Sequence, residues 1–98
     1  MLPSESLHKI QTNYTYLLSQ LDTVSGLLDF LFNDGVLKDD EKMEIEVLTL
    51  PNKRNEKLLS ILRRKTQKQY EIFMQALYAT NQSHVAKVLS LEGLFSIL

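Results

Sequence analysis

Cysteine and tryptophan are absent from this chain of 98 residues, and glycine and proline number only three and two. Without cysteine there can be no disulfide, no thiolate-metal cluster and no thiol nucleophile. So few glycines and prolines leave little material for the tight turns of an all-β fold and favour helices with short connections. Apolar runs stop after a few residues, far short of the ~20 needed to span a bilayer. Residues Met1 to Ser6 carry neither the basic nor the apolar segment of a secretory leader. The triplets Asn13-Tyr14-Thr15 and Asn81-Gln82-Ser83 are therefore read as chance sequons, and a cytoplasmic setting is expected, with no membrane partner. No Gly-rich phosphate loop, metal-ligand spacing or Ser-His-acid arrangement occurs, and His8 and His84 fall in different predicted helices. Neither enzymatic activity nor a metal or cofactor is expected.

What is present is an ordinary globular share of apolar residues, 44%, enough for one compact domain spanning 1–98. Leu7, Ile10, Tyr14, Leu17, Leu18 and Leu21 recur in steps that place them on one helical face, predicting a first helix over 5–21. A second is predicted from Asp22 or Thr23, with Val24, Leu27, Leu28, Leu31 and Phe32 as its apolar stripe and Gly26 inside it. Asn33-Asp34-Gly35 ends it, since glycine readily takes the left-handed conformation of a helix C-terminus. The acids Asp39, Asp40 and Glu41 suit the positive end of a third helix over 39–48, whose Met43, Ile45, Val47 and Leu48 share no single face. After the break at Pro51, Asn52 is the expected cap of a fourth helix with Leu58, Leu59, Ile61 and Leu62 inward. Thr66 is the expected cap of a fifth, bearing Tyr70, Phe73, Met74 and Leu77. A sixth follows Thr80-Asn81, with Val85, Val88 and Leu89. The apolar tail 91–98 could extend it, pack back or remain exposed. The predicted fold is all-α, a six-helix antiparallel bundle.

Charge is sorted along the chain although the net charge is only −1. Residues 22–46 hold eight acids against Lys38 and Lys42, whereas residues 53–68 hold seven bases against Glu56. Solvated helices usually mix signs at i, i+4 spacing, so grouping like charges costs self-repulsion. The division predicts an acidic and a basic surface made by different helices, suited to head-to-tail docking into open helical chains. A basic helix can also grip nucleic acid, but the neighbouring acidic segment would repel a phosphate backbone, so this alternative is set below protein binding.

The order of the elements resembles one family. Leu27-Leu28-Asp29-Phe30-Leu31, then Asn33-Asp34-Gly35-Val36-Leu37 and Asp40-Glu41, resembles helices two and three of the caspase recruitment domain (CARD). Lys57 to Leu62 resembles the family's fourth helix, Tyr70 to Leu77 its fifth, and Thr80 to Leu89 its close, a likeness covering about residues 7–90. Two departures stand out: Lys65-Thr66 replaces an Arg-Gly common before helix five, and Asn13-Tyr14 occupies the place of an arginine in helix one. The resemblance implies a death-fold bundle with a first helix that is often bent. It also implies homotypic binding to another CARD-containing protein, a caspase, adaptor or sensor, and self-assembly into helical oligomers, in caspase-activating or innate-immune complexes. Carried over by residue, the basic interaction face is Lys53, Arg54, Lys57 and Arg64; the acidic face is Asp29, Asp34, Asp40, Glu41 and Glu44. A CARD-only decoy that caps others' assemblies is the alternative role.

Overall fold

The computed structural model describes the backbone of residues 1–95 and the side chains of residues 1–90. These form seven helices and no strand: α1 Ser4–Thr12, α2 Tyr14–Gln20, α3 Leu27–Asn33, α4 Asp39–Glu46, α5 Pro51–Leu62, α6 Gln67–Ala79 and α7 Ser83–Phe95. The bundle is held by α5 lying between α2 and α4, with α6 packed on α3 and α7, and α1 on α7. Leu17, Leu27, Leu31, Ile45, Leu58, Leu59, Phe73 and Leu77 are wholly buried and come from α2 to α6, so one core joins these elements. The i, i+3, i+4 apolar spacing of α5 and α6 puts their leucines and aromatics into this core.

The extra helix arises because the first predicted helix is broken at Asn13. Both the side-chain amide and the backbone N–H of Asn13 donate to the Lys9 carbonyl, at 2.9 and 3.2 Å. A short polar side chain competing for a helical carbonyl is the usual reason asparagine disfavours helix interiors. The second predicted helix starts later than the periodicity suggests, at Leu27 instead of Asp22 or Thr23. The Asp22 carboxylate accepts hydrogen bonds from the backbone N–H groups of Val24 and Ser25, at 2.8 and 3.3 Å, and from the Ser25 hydroxyl, closing a local turn. The Ser25 hydroxyl and then the Val24 N–H hold the Asp22 carboxyl below its ordinary range. Gly26 precedes α3 rather than lying inside it, at φ +103°, a conformation strained for any L side chain. Val24 consequently leaves the predicted core stripe and is 80% exposed, and Phe32 is 41% exposed.

Most other local signals act as expected, the cap of α5 excepted. Gly35 is left-handed at φ +80° after α3. Thr66 caps α6: its hydroxyl oxygen accepts the Gln69 N–H at 3.2 Å, while Gln69 Oε1 accepts the Thr66 N–H at 3.0 Å. Asn52 does not cap α5, which instead starts with Pro51 at a position where no intrahelical N–H is needed. Asn81, at φ +63°, provides the turn into α7. The predicted sixth helix, α7 here, continues through Phe95, so the tail extends it that far; the packing of the tail's side chains and the course of residues 96–98 lie outside the described residues.

Candidate protein-binding surface

The acidic and basic segments of the sequence become neighbours, because α4 packs directly on α5. Two ion pairs cross their seam: Lys57 to Glu44 at 3.0 Å and Lys65 to Glu41 at 2.8 Å. The second is shielded, its side chains only 13% and 16% exposed. Glu41 also accepts the Lys38 N–H at 2.9 Å, satisfying a free donor at the start of α4. Partial burial opposes ionisation of Glu41, but the Lys38 N–H, together with the hydrogen bond and charge of Lys65, outweighs it and lowers its pKa. The two surfaces thus share a border instead of lying on separate sides.

Arg54 is committed to the fold. Its guanidinium donates to Thr23 Oγ1 at 2.8 Å, to the Glu46 and Leu48 carbonyls at 3.2 and 3.3 Å, and to the Thr23 carbonyl at 3.5 Å. It therefore fastens the α2–α3 loop and the end of α4 onto α5. Next to it, buried Asn55 donates to the Leu18 and Leu21 carbonyls at 2.8 and 2.9 Å, taking up acceptors that the end of α2 leaves open. Lys53 is more than half exposed and only 3.9 Å from Glu56 along its own helix, a weak pair. Arg64 is exposed and follows the last turn of α5.

On the acidic side, Asp29 pairs with Lys42 at 3.2 Å, and Lys42 also meets Glu46 at 2.9 Å while lying 5.9 Å above the Phe32 ring. The hydrogen bonds from Lys42 to Glu46 and then to Asp29 raise its pKa, so this cation stays within the acidic surface. Asp34, Asp39 and Asp40 are exposed around the α3–α4 turn. Between Asp40 and Glu44 the side chains of Met43 and Val47 form a small apolar patch, 55% and 72% exposed, while Ile45 faces the core. The mixed facing of this helix was visible in its sequence, where Met43 and Val47 are four apart and Ile45 is not in their row. A groove of about 730 Å³ lies between α1 and the end of α5, lined by Met1, Leu7, Gln11, Tyr14, Arg63 and Arg64. Arg63 sits 5.6 Å over the Tyr14 ring at its rim, a contact across 49 positions that no sequence spacing signals. Asn13 and Tyr14 lie where the family resemblance expects an arginine, and here the Tyr14 ring carries the Arg63 guanidinium.

Among the described residues, no group of His, Asp and Glu could hold a metal ion, and no helix is long and apolar enough to cross a membrane. No curated protein matched the chain in a sequence comparison. A family model described as the caspase recruitment domain matches residues 7–92. Its members are homotypic protein–protein interaction modules rather than catalysts, in keeping with an all-helical death-fold bundle whose unspent charges lie at its surface. The match spans most of the chain, and the protein belongs to the caspase recruitment domain family.

Proposed function

We propose that this single domain recruits another CARD-containing protein by head-to-tail docking of its acidic α4 surface against the basic groove of the next molecule. The observation that carries this reading is the match between the two patches. Met43 and Val47 offer an apolar centre rimmed by Asp40 and Glu44, with Asp34 and Asp39 nearby on the same turn. Leu7 and Tyr14 offer an apolar floor rimmed by Arg63 and Arg64, with Lys53 and Lys57 extending the positive surface along α5. Complementary charge steers encounter and selects partners, while the apolar centre supplies buried area. The two patches belong to different helices, so the contact is heterologous and repeats into helical oligomers unless it closes. Caspase-activating or innate-immune assembly in the cytoplasm is the setting that family membership supports. Lys57 and Glu44 already satisfy each other, and Arg54 and Glu41 serve the fold, so Arg64 and Asp40 carry more of the docking than those four.

Assembly of the purified domain, followed by light scattering and by capture of CARD-containing partners, tests this. Arg64→Glu and Asp40→Lys should each weaken docking on the order of tenfold or more, and mixing the two should restore a single contact and give a dimer without further growth, since each retains one intact patch. Undiminished assembly of both variants, or a mixture that forms no dimer, would sink the reading. Loss of RNA or DNA retention by Arg64→Glu with assembly unchanged would instead favour nucleic-acid binding. Growth arrested by addition of the wild-type domain to another CARD would assign it as a decoy.

A further inference from the structure

Only three arginines occur in the chain, and two of them, Arg63 and Arg64, stand three and two residues before a hydroxyl, that of Thr66. No other serine or threonine has this arrangement. Arg63, Arg64 and Thr66 are all exposed, whereas the intervening Lys65 turns inward to Glu41. Paired arginines at these positions suit protein kinases whose substrate cleft is lined by carboxylates, because each guanidinium can bind a carboxylate in two-pronged fashion. We propose that Thr66 is a phosphorylation site for an arginine-directed protein kinase, and that the phosphate switches off the basic docking patch.

The segment can be reached. The turn between α5 and α6 is closed by the Arg64 and Lys65 N–H groups donating to the Ile61 and Leu62 carbonyls, at 3.1 and 3.0 Å, and by the Leu2 N–H donating to the Arg63 carbonyl at 3.1 Å. Opening it costs these bonds, the cap of α6 and the Lys65 pair, but no apolar side chain of residues 63–66 leaves the core, as none is present. Such short polar turns belong to the low-stability end of a native structure. In the kinase cleft the Thr66 oxygen attacks the γ-phosphorus of ATP. The new O–P bond forms as the bond to the β,γ-bridging oxygen breaks, the hydroxyl proton passes to the kinase's catalytic carboxylate, and ADP leaves.

Residues 63–68 contain four bases and no acid, and a phosphate adds about −1.5 to −2 charge at neutral pH, cancelling roughly half of that local excess. The phosphate would stand at the N-terminus of α6, where Thr66 already accepts the Gln69 N–H and the helix dipole favours negative charge. It therefore leaves the fold intact. Gln69 also donates to the Gly35 carbonyl at 3.3 Å, and Lys65 pairs with Glu41, so Thr66 sits where the basic turn meets the acidic end of the bundle. A phosphate there competes with Glu41 for Lys65 and carries the acidic surface across the border toward Arg64. The regulatory half of the proposal rests on the docking reading above; the acceptor site does not.

The purified chain, incubated with an arginine-directed kinase and ATP, should take up one phosphate by intact mass, placed on Thr66 by fragmentation. Thr66→Asn, which keeps a capping acceptor but lacks the hydroxyl, should take up none, and Arg63→Gln/Arg64→Gln should slow uptake about tenfold or more while Thr66 remains. Phosphate only elsewhere, or continued uptake by Thr66→Asn, overturns the site. The phosphorylated domain should melt no lower than the unmodified one and dock about tenfold more weakly. Undiminished docking of that form overturns the switch if Arg64→Glu is defective; if Arg64→Glu also docks normally, the docking reading itself fails.

Discussion

The two ends of α5 use arginine in opposite ways. At its start, Arg54 turns inward and divides its donors among Thr23, Glu46 and Leu48, beside buried Asn55. Beyond its end, Arg63 and Arg64 are exposed at the rim of an apolar groove, one of them resting on Tyr14. The same residue type in one basic run thus fastens loops at one end and presents charge at the other. A charge count alone overstates the surface available to a partner.

Substitutions at the two ends should separate stability from docking. The largest effect belongs to Asn55→Leu: it leaves the Leu18 and Leu21 carbonyls without their buried donor, at a cost of about 2–4 kcal/mol. A drop in melting temperature of roughly 10–20 °C in calorimetry is the corresponding readout. Arg54→Ala should cost about 1.5–3 kcal/mol in urea unfolding, and Arg54→Lys should recover little of it, because a single ammonium cannot reproduce the forked contacts. If Arg54→Ala instead weakened docking with stability unchanged, the contrast between the two ends would collapse. Gly26→Ala, at positive φ, should cost about 1–2 kcal/mol. Arg64→Glu should change stability by no more than about 0.5 kcal/mol while weakening docking.

The smallest effect concerns acid. The pKa of Glu41 is lower in the folded chain than its ordinary 4.5, so its contribution is complete above pH 4.5 and fades as pH falls through the lower folded value. Stability of the wild type should therefore decline in that acidic window by more than that of Glu41→Gln, measured by urea titration at successive pH values. Equal declines would show that the Lys65 pair and the helix-start contact contribute nothing.

Features written locally were legible in the sequence. Thr66 as a cap, Gly35 after an apolar stripe and the acids opening α4 all act within one turn of chain, and the structure keeps each of them. The break at Asn13 and the late start of α3 were harder, because there a polar side chain competes with helix for the backbone, and apolar spacing carries no trace of that contest. The inward use of Arg54 and Asn55 was not legible, as their partners lie up to 37 positions away. For the docking surface, the grouping of charge was visible, but which charges are already paired depends on α4 lying against α5.

Gln82 has a consequence for how the chain reaches this state. Its buried amide accepts the Asp22 N–H and donates to the Asp22 carbonyl, both at 2.8 Å, as a neighbouring strand would. These bonds bridge 60 positions and close the loop ahead of α3 from the turn between α6 and α7. During synthesis the N-terminal half emerges first, and although Arg54 can already fasten Thr23, the Asp22 backbone groups must wait for Gln82. Until then the loop ahead of α3 lacks its final clasp, so the entry to α3 takes its fixed shape late, whereas α4 already has α5 to lie against. A ribosome-bound chain ending before Gln82 should accordingly be cut by protease around Thr23 to Gly26, and one extending past α7 should resist.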